Sequence, residues 1–95
     1  MSYVLTEEAE EDVIHILAES GKHFGIRQAH KYYTGLMECF SFLGDNPRAA
    51  RERTELTPPV RAHPYGSHIV IYRTDGEEVV ILAVRHSREN WQEDL

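Results

Sequence analysis

Residues 68–86 read HIVIYRTDGEEVVILAVRH, and this stretch decides the fold of the chain. It consists of two runs rich in β-branched and aromatic residues, which favour strands, on either side of Asp75-Gly76. Asp-Gly tolerates the positive φ angles of a tight turn, so the stretch predicts an antiparallel hairpin. A third such run, Val60 to Tyr65, ends at the predicted turn Gly66-Ser67. Together the runs predict a three-stranded antiparallel meander over residues 60–65, 68–74 and 78–86.

The last of these runs has an unusual pattern. Val79 to Val84 is apolar at every position, which indicates a central strand that is covered on both faces. If helices cover one face, a second element must cover the other. The sequence leaves two alternatives for that cover, the C-terminal segment Arg88 to Leu95 and a second chain.

The N-terminal half predicts one short strand and two helices. Tyr3 to Leu5 is a short apolar run, and Thr6 followed by acidic residues is a helix start with a hydroxyl N-cap. Apolar residues then recur at helical spacing, first up to a predicted stop at Gly21, and again from Phe24-Gly25 to Gly44. The short connection between them predicts an antiparallel helix hairpin.

The predicted fold is therefore α+β: an N-terminal strand, an antiparallel two-helix hairpin, then the meander, which forms one small sheet packed on the helices. Residues 1–95 are expected to make a single domain, because 95 residues with 41% hydrophobic and 27% charged content suit one small core. Residues 47–59 are polar and without a clear period, so we expect a loop with a helical turn.

The composition also indicates in which cellular compartment the protein is expected. Cys39 is the sole cysteine, so an intramolecular disulfide is excluded and a reducing cytosol is the simplest environment. No apolar run approaches the ~20 residues that a membrane span requires, and no signal-type segment opens the chain. We expect a cytoplasmic protein without a membrane partner.

Charge is distributed unevenly. Net charge is −6, but residues 1–47 hold eight acids against three bases while residues 48–95 hold eight acids against seven arginines. The acidic balance argues against direct nucleic-acid binding. Arginine without lysine in the second half suits bidentate pairing with carboxylates, so the chain is expected to bind an acidic protein partner.

Candidate partner-binding residues lie mainly at the ends of the predicted strands. Trp91, near the C-terminus, has two readings, a lid packed on the sheet or an anchor for the partner. The full predicted set is Arg61, Tyr65, Arg73, Arg85, His86, Arg88 and Trp91.

A catalytic alternative uses part of the same set. His86 would act as a general base, with Arg61, Arg85 and Arg88 as phosphate-binding side chains. The simpler interpretation is a polar cluster at a strand end that contacts a partner, so no catalytic residue is assigned. Histidine and cysteine spacings match no zinc arrangement, and neither a metal nor another cofactor is predicted.

Several motifs occur in an order that resembles the RelE/ParE toxin superfamily, and in detail its ParE branch. They are Tyr3 to Thr6 leading into Ala9 to Asp12, the helix end Phe42 to Arg48, Val60-Arg61 with Tyr65-Gly66, His68 to Arg73, and Val80 to Leu82 with Val84 to Arg88. The resemblance spans nearly the whole chain. It implies the toxin of a bacterial type II toxin–antitoxin pair, which inhibits DNA gyrase without catalysis and is neutralised by a ParD-like antitoxin.

Two alternatives accompany this resemblance. The RelE branch implies a ribosome-dependent mRNA endoribonuclease, but it relies on a strongly basic surface that this acidic chain lacks. Ala83 stands where many ParE-like sequences carry an arginine, which fits a detoxified homologue that only binds antitoxin. The assemblies expected from the resemblance are a toxin homodimer and a toxin–antitoxin hetero-oligomer.

Overall fold

A computed structural model describes residues 2–94 as two helices packed on one mixed sheet. The sheet has five strands in the order β1-β5-β4-β3-β2, in which β1 is parallel to β5 and the other neighbours are antiparallel. The elements in chain order are β1 (Tyr3–Leu5), α1 (Glu7–Phe24), α2 (Ile26–Asp45), β2 (Glu52–Arg53), β3 (Val60–Tyr65), β4 (His68–Asp75), β5 (Glu78–His86) and a 3₁₀ helix (Trp91–Asp94).

The predicted α+β class, the two-helix hairpin and the meander are confirmed, but a sheet made of the meander alone was wrong. Strand β1 is too short to be stable by itself and gains its partners by parallel pairing with β5, where Tyr3 lies opposite Val79. The backbone N–H of Thr6 extends this pairing by donating to the Ile81 carbonyl at 3.0 Å. At the other edge, β2 pairs with the start of β3, and it occupies part of the segment in which a helical turn was expected.

The helix boundaries follow local chemistry. The side chain of Thr6 accepts a hydrogen bond from Ala9 N at 3.1 Å, which confirms the predicted N-cap. The predicted stop at Gly21 was wrong, because α1 continues through Gly21 to Phe24. Gly25 ends it instead, since its φ of 86° is a conformation that glycine adopts without steric cost. One residue therefore connects the two helices.

Both faces of the sheet are covered by the chain itself. The larger core lies between the sheet and the helices and includes Phe40, Leu43, Val70, Tyr72 and Ile81. The smaller core lies on the opposite face and consists of Val60, Ile71, Ala83 and Trp91. Of the two covers expected for this face, the structure contains the C-terminal one.

Trp91 is the centre of that cover. Its side chain is only 5% exposed, and the guanidinium carbon of Arg53 lies 5.6 Å from the centre of its ring. Of its two predicted roles, the structure shows the lid. A side chain this deeply buried does not reach a partner while the C-terminal segment stays in place, and its role as a partner anchor stays a prediction.

Candidate functional site

A groove of about 1000 Å³ opens between α1, the start of α2 and the ends of β4 and β5. Ile16, Phe24 and Val84 give it apolar walls. Four of the six histidines of the chain line it, namely His15, His23, His68 and His86. We call this feature the α1–sheet groove.

Tyr32 and His68 form the floor at one end of the groove. The Tyr32 hydroxyl lies 2.7 Å from His68 Nδ1 and accepts a hydrogen bond from the Ser67 N–H at 3.2 Å. The His86 ring stands edge-on to His68 with 5.4 Å between ring centres. Burial lowers the pKa of His68, and the neighbouring His86 lowers it further.

Arg85 joins β5 to α1 at the other wall. Its Nη2 lies 2.5 Å from Glu8 Oε2, and its Nη1 lies 3.8 Å from Asp12 Oδ1. Asp12 also accepts a hydrogen bond from Val84 N at 2.9 Å. Burial nevertheless raises the pKa of Asp12, although the Val84 bond and the Arg85 charge oppose this shift. Arg85 is therefore already paired within the chain.

His86 and Arg88 lie next to each other just beyond this pair. The Arg88 N–H donates to His86 Nδ1 at 3.1 Å, and the His86 N–H donates to the Glu89 carboxylate at 3.1 Å. Arg88 is exposed, and its guanidinium has no ion-pair partner within residues 2–93. Of the predicted arginines near the groove, Arg88 is thus the one whose charge is open to a partner.

Of the remaining predicted residues, Tyr65 lies beside the groove floor, opposite His68, while Arg61 and Arg73 lie away from the groove. Arg61 Nη1 donates to the Ala50 carbonyl at 2.7 Å and so holds the loop after α2. Tyr65 donates to the Tyr32 carbonyl at 3.2 Å and packs against its ring. Arg73 lies near the β4–β5 turn, 3.9 Å from Asp75. The predicted set is therefore spread over three regions of the sheet.

This spread bears on the catalytic alternative. On β4, His68 lies opposite His86 while Tyr72 lies opposite Arg61. Those β4 positions are four residues apart, which is about 13 Å along a strand. His86 and Arg88 are adjacent, but Arg61 is not brought to them. The His86 imidazole would then have to act with Arg88 alone, because the neighbouring Arg85 is paired with Glu8 and Asp12.

Sequence reasoning missed three residues of the groove, Asp12, Tyr32 and His68. The sequence does not single out Asp12, because its contact with β5 spans 72 residues and leaves no local pattern. Tyr32 likewise meets His68 across 36 residues. Only the three-dimensional pairing of helix and strand reveals these contacts.

Within the described residues, no three His, Cys, Asp or Glu side chains are grouped so that they could hold a metal ion. None of the described helices has the length and apolar content needed to cross a membrane.

The fold and site define a small α+β protein in which a helix hairpin and a mixed sheet enclose an open groove. The chain belongs to the ParE toxin family, because the family described as "ParE toxin of type II toxin-antitoxin system, parDE" matches residues 3–91. The motif order that resembled the ParE branch is thereby confirmed.

Individual relatives agree with this assignment. Toxin ParE1 of Mycobacterium tuberculosis is 29% identical over 94 residues, which covers 98% of this chain and 96% of that protein. Toxin ParE3 of Caulobacter vibrioides is 29% identical over 79 residues, covering 83% and 79% respectively. A chain from the chromosomal ParDE TA system of P. aeruginosa has the same fold, with a TM-score of 0.75, 24% identity and coverage of 90% of this chain and 95% of that one.

Proposed function

We propose that this chain is the toxin of a type II toxin–antitoxin pair, that it inhibits DNA gyrase in the cytoplasm without catalysis, and that a ParD-like antitoxin neutralises it. The family match over residues 3–91 is the observation on which the proposal rests. Arg61 is separated from His86, and Arg85 is paired with Glu8 and Asp12, which leaves Arg88 as the one unpaired arginine near that base among the described residues. This arrangement supports inhibition over RNA cleavage.

We assign the antitoxin to the α1–sheet groove. An amphipathic segment could bury apolar side chains against Ile16, Phe24 and Val84, as helices do in hydrophobic grooves. Exposed Arg88 lies two residues past the groove-lining His86 and can pair with a carboxylate of that segment. Arg85 is a poorer probe of this contact, because any change to it also breaks its pairs with Glu8 and Asp12.

One experiment separates an inhibitor from a ribonuclease. The purified chain and His86→Gln are each added to gyrase with relaxed plasmid and, separately, to ribosomes translating a defined message. Glutamine cannot act as a base near neutral pH, so a ribonuclease that used His86 would lose about 100-fold or more in cleavage rate. We expect blocked supercoiling or stabilised DNA cleavage by both proteins, and no added cuts in the message. Message cleavage that disappears with His86→Gln would favour the RelE-like activity, and no effect on either target would favour a detoxified homologue.

A second experiment tests the groove. Ser20 lines the groove, so Ser20→Trp should fill it and weaken binding of the cognate antitoxin. The matched control is Thr34→Trp, an exposed position on α2 outside the groove. Arg88→Glu should cost about 1–3 kcal/mol of binding if the arginine is desolvated, whereas Arg48→Glu, exposed near the end of α2, should not. Equal affinities of test and control variants would exclude the groove as the antitoxin site.

A further inference from the structure

The outward side of the helix hairpin exposes apolar side chains that the groove does not use. Ile14 is 67% exposed on α1 and Ile26 is 86% exposed on α2. Leu17 and Tyr33 are partly exposed in addition. Large exposed aliphatic residues close together mark binding surfaces in soluble proteins.

These residues belong to a continuous strip. Glu11, Ile14, Ala18 and Lys22 are spaced three or four apart, so they share one face of α1, and all four are exposed. We call these four residues the outer α1 face. A Cβ placed on Gly21 would lie 3.8 Å from the Cβ of Ala29, so α2 runs directly alongside. Ile26 and Tyr33 therefore flank the outer α1 face rather than lie apart from it.

Charge along this strip is bipolar. Glu7, Glu10 and Glu11 lie at the start of α1, while Lys22 and Arg27 lie at the hairpin tip. None of the five has an ion-pair partner among the described residues. Acids at the start and Lys22 at the end of α1 also favour the helix dipole, so they have an explanation within the chain.

Arg27 has no such explanation. It lies in the first turn of α2, which contains no acidic residue, and a positive charge there opposes the dipole of that helix. An acidic group from another molecule would remove this conflict. The tip thus has unpaired positive charge next to exposed Ile26, while the opposite end of the strip is acidic.

We propose that the outer α1 face binds a second copy of this chain in an antiparallel, two-fold arrangement. Rotation by 180° places the acidic end of one α1 against the basic tip of the other, so the same two contacts form twice. Along the length of α1, position 16 is midway between Glu10 and Lys22 and also midway between Ile14 and Ala18. A two-fold axis that crosses the outer α1 face at this level sets Ile14 of each copy against the small Ala18 of the other. An acidic antitoxin fits this surface less well, because it would meet Glu7, Glu10 and Glu11.

Sedimentation equilibrium over a wide range of concentration tests the proposal. The mass of the wild-type chain should rise from 11.0 kDa towards twice that value. Ile14→Asp should remain at 11.0 kDa with an unchanged circular dichroism spectrum, since position 14 is exposed. A wild-type mass that stays at 11.0 kDa throughout, or an Ile14→Asp chain that associates like wild type, would overturn the proposal.

Charge reversal tests the antiparallel order directly. An acidic variant combines Lys22→Glu with Arg27→Glu, and a basic variant combines Glu10→Lys with Glu11→Lys. Each alone should self-associate more than about tenfold more weakly than wild type, because like charges then meet at both ends. Mixed together, the two should form a heterodimer, and adding Ile14→Asp to either should abolish it. Two results would contradict this arrangement: a mixture that associates no better than either variant alone, and a heterodimer that still forms when Ile14→Asp is added.

This inference is separate from the proposed function, because the outer α1 face and the α1–sheet groove lie on different sides of α1. Ile14→Asp should keep gyrase inhibition and antitoxin affinity. Loss of antitoxin binding by Ile14→Asp, with a wild-type chain that is monomeric, would show that the antitoxin occupies this face and would overturn the second-copy proposal.

Discussion

The hydroxyl oxygen of Tyr32 and Nδ1 of His68 lie 2.7 Å apart, and this contact joins α2 to the start of β4. The same hydroxyl accepts a hydrogen bond from the Ser67 N–H and donates to the Tyr65 carbonyl, both at 3.2 Å. The direction of its bond with His68 therefore depends on which ring nitrogen carries the proton. Burial of His68 favours the neutral ring whichever way this bond runs.

The first prediction is a loss of stability on acidification. The pKa of His68 is lowered in the folded chain, so the unfolded chain binds the proton more readily and the free energy of unfolding falls as pH drops below about 6.5. The limit for one proton is about 1.4 kcal/mol per pH unit. Urea unfolding between pH 5 and 8 measures this slope.

His68→Gln should reduce that slope, whereas His15→Gln, an exposed ring on α1, should not. The other titratable groups that face His68 are His86, Glu89 and Tyr32, and all three remain in both variants. The slopes of wild type and variants are compared at the same ionic strength. Equal slopes in wild type and His68→Gln would remove His68 as the cause.

The second prediction concerns Tyr72, which is fully buried in the larger core. Its hydroxyl donates to the Pro47 carbonyl at 2.9 Å and accepts from Ala50 N at 3.3 Å. Tyr72→Phe should lower the free energy of unfolding by about 1–3 kcal/mol, because both backbone groups lose their partner. Tyr33→Phe, at a partly exposed position on α2, is the control and should change it by less than about 0.5 kcal/mol. Urea denaturation gives both values, and a neutral Tyr72→Phe would mean that water replaces the hydroxyl.

Much of this fold was predictable from sequence, because its signals are local. Thr6 as N-cap and a hairpin turn at Gly76 depend on neighbours within a few residues. The turn is at Gly76-Glu77, one residue later than predicted, because Asp75 still pairs with Glu78 as the last residue of β4. The parallel pairing of Tyr3 with Val79 does not, because three-residue β1 contains no information about which strand it will join. The predicted helix end at Gly21 was wrong for a related reason. Glycine commonly ends helices, but here α1 continues past Gly21 because it still packs on α2.

The site was less predictable than the fold. His86 and Arg88 were predicted together because they lie at and just past the end of a strong strand, and they are neighbours in the structure. Arg61 was grouped with them through shared chemistry, although strand register places it at the other end of β3. Arg61 donates a hydrogen bond to the Ala50 carbonyl, so an arginine on a sheet can stabilise a loop of its own chain as well as bind a partner.

The third prediction contrasts two helical glycines. A Cβ on Gly35 would overlap the hydroxyl of Tyr65, so Gly35→Ala should destabilise the chain by about 1–3 kcal/mol. A Cβ on Gly21 meets only Ala29 at an ordinary 3.8 Å, so Gly21→Ala should stabilise α1 by about 0.5–1 kcal/mol. Thermal unfolding measures both.

Adding Tyr65→Phe to Gly35→Ala should recover part of the loss, because it removes the overlapping oxygen. A Gly35→Ala chain as stable as wild type would show that Tyr65 moves aside at little cost.

The last prediction distinguishes Trp91 as a lid from Trp91 as a partner anchor. Trp91 packs with Val60, Ile71 and Ala83 on the face of the sheet opposite the helices, so Trp91→Ala should lower the free energy of unfolding by about 3–5 kcal/mol. Truncation of highly exposed Phe24 to alanine is the control and should cost little. Because Trp91 is the sole tryptophan, unfolding is followed by circular dichroism, and in the wild-type chain its fluorescence should be blue-shifted and shielded from acrylamide. An anchor would give the opposite results. Acrylamide would quench the tryptophan fluorescence of the wild-type chain, and the Trp91→Ala chain would unfold like wild type but no longer bind antitoxin.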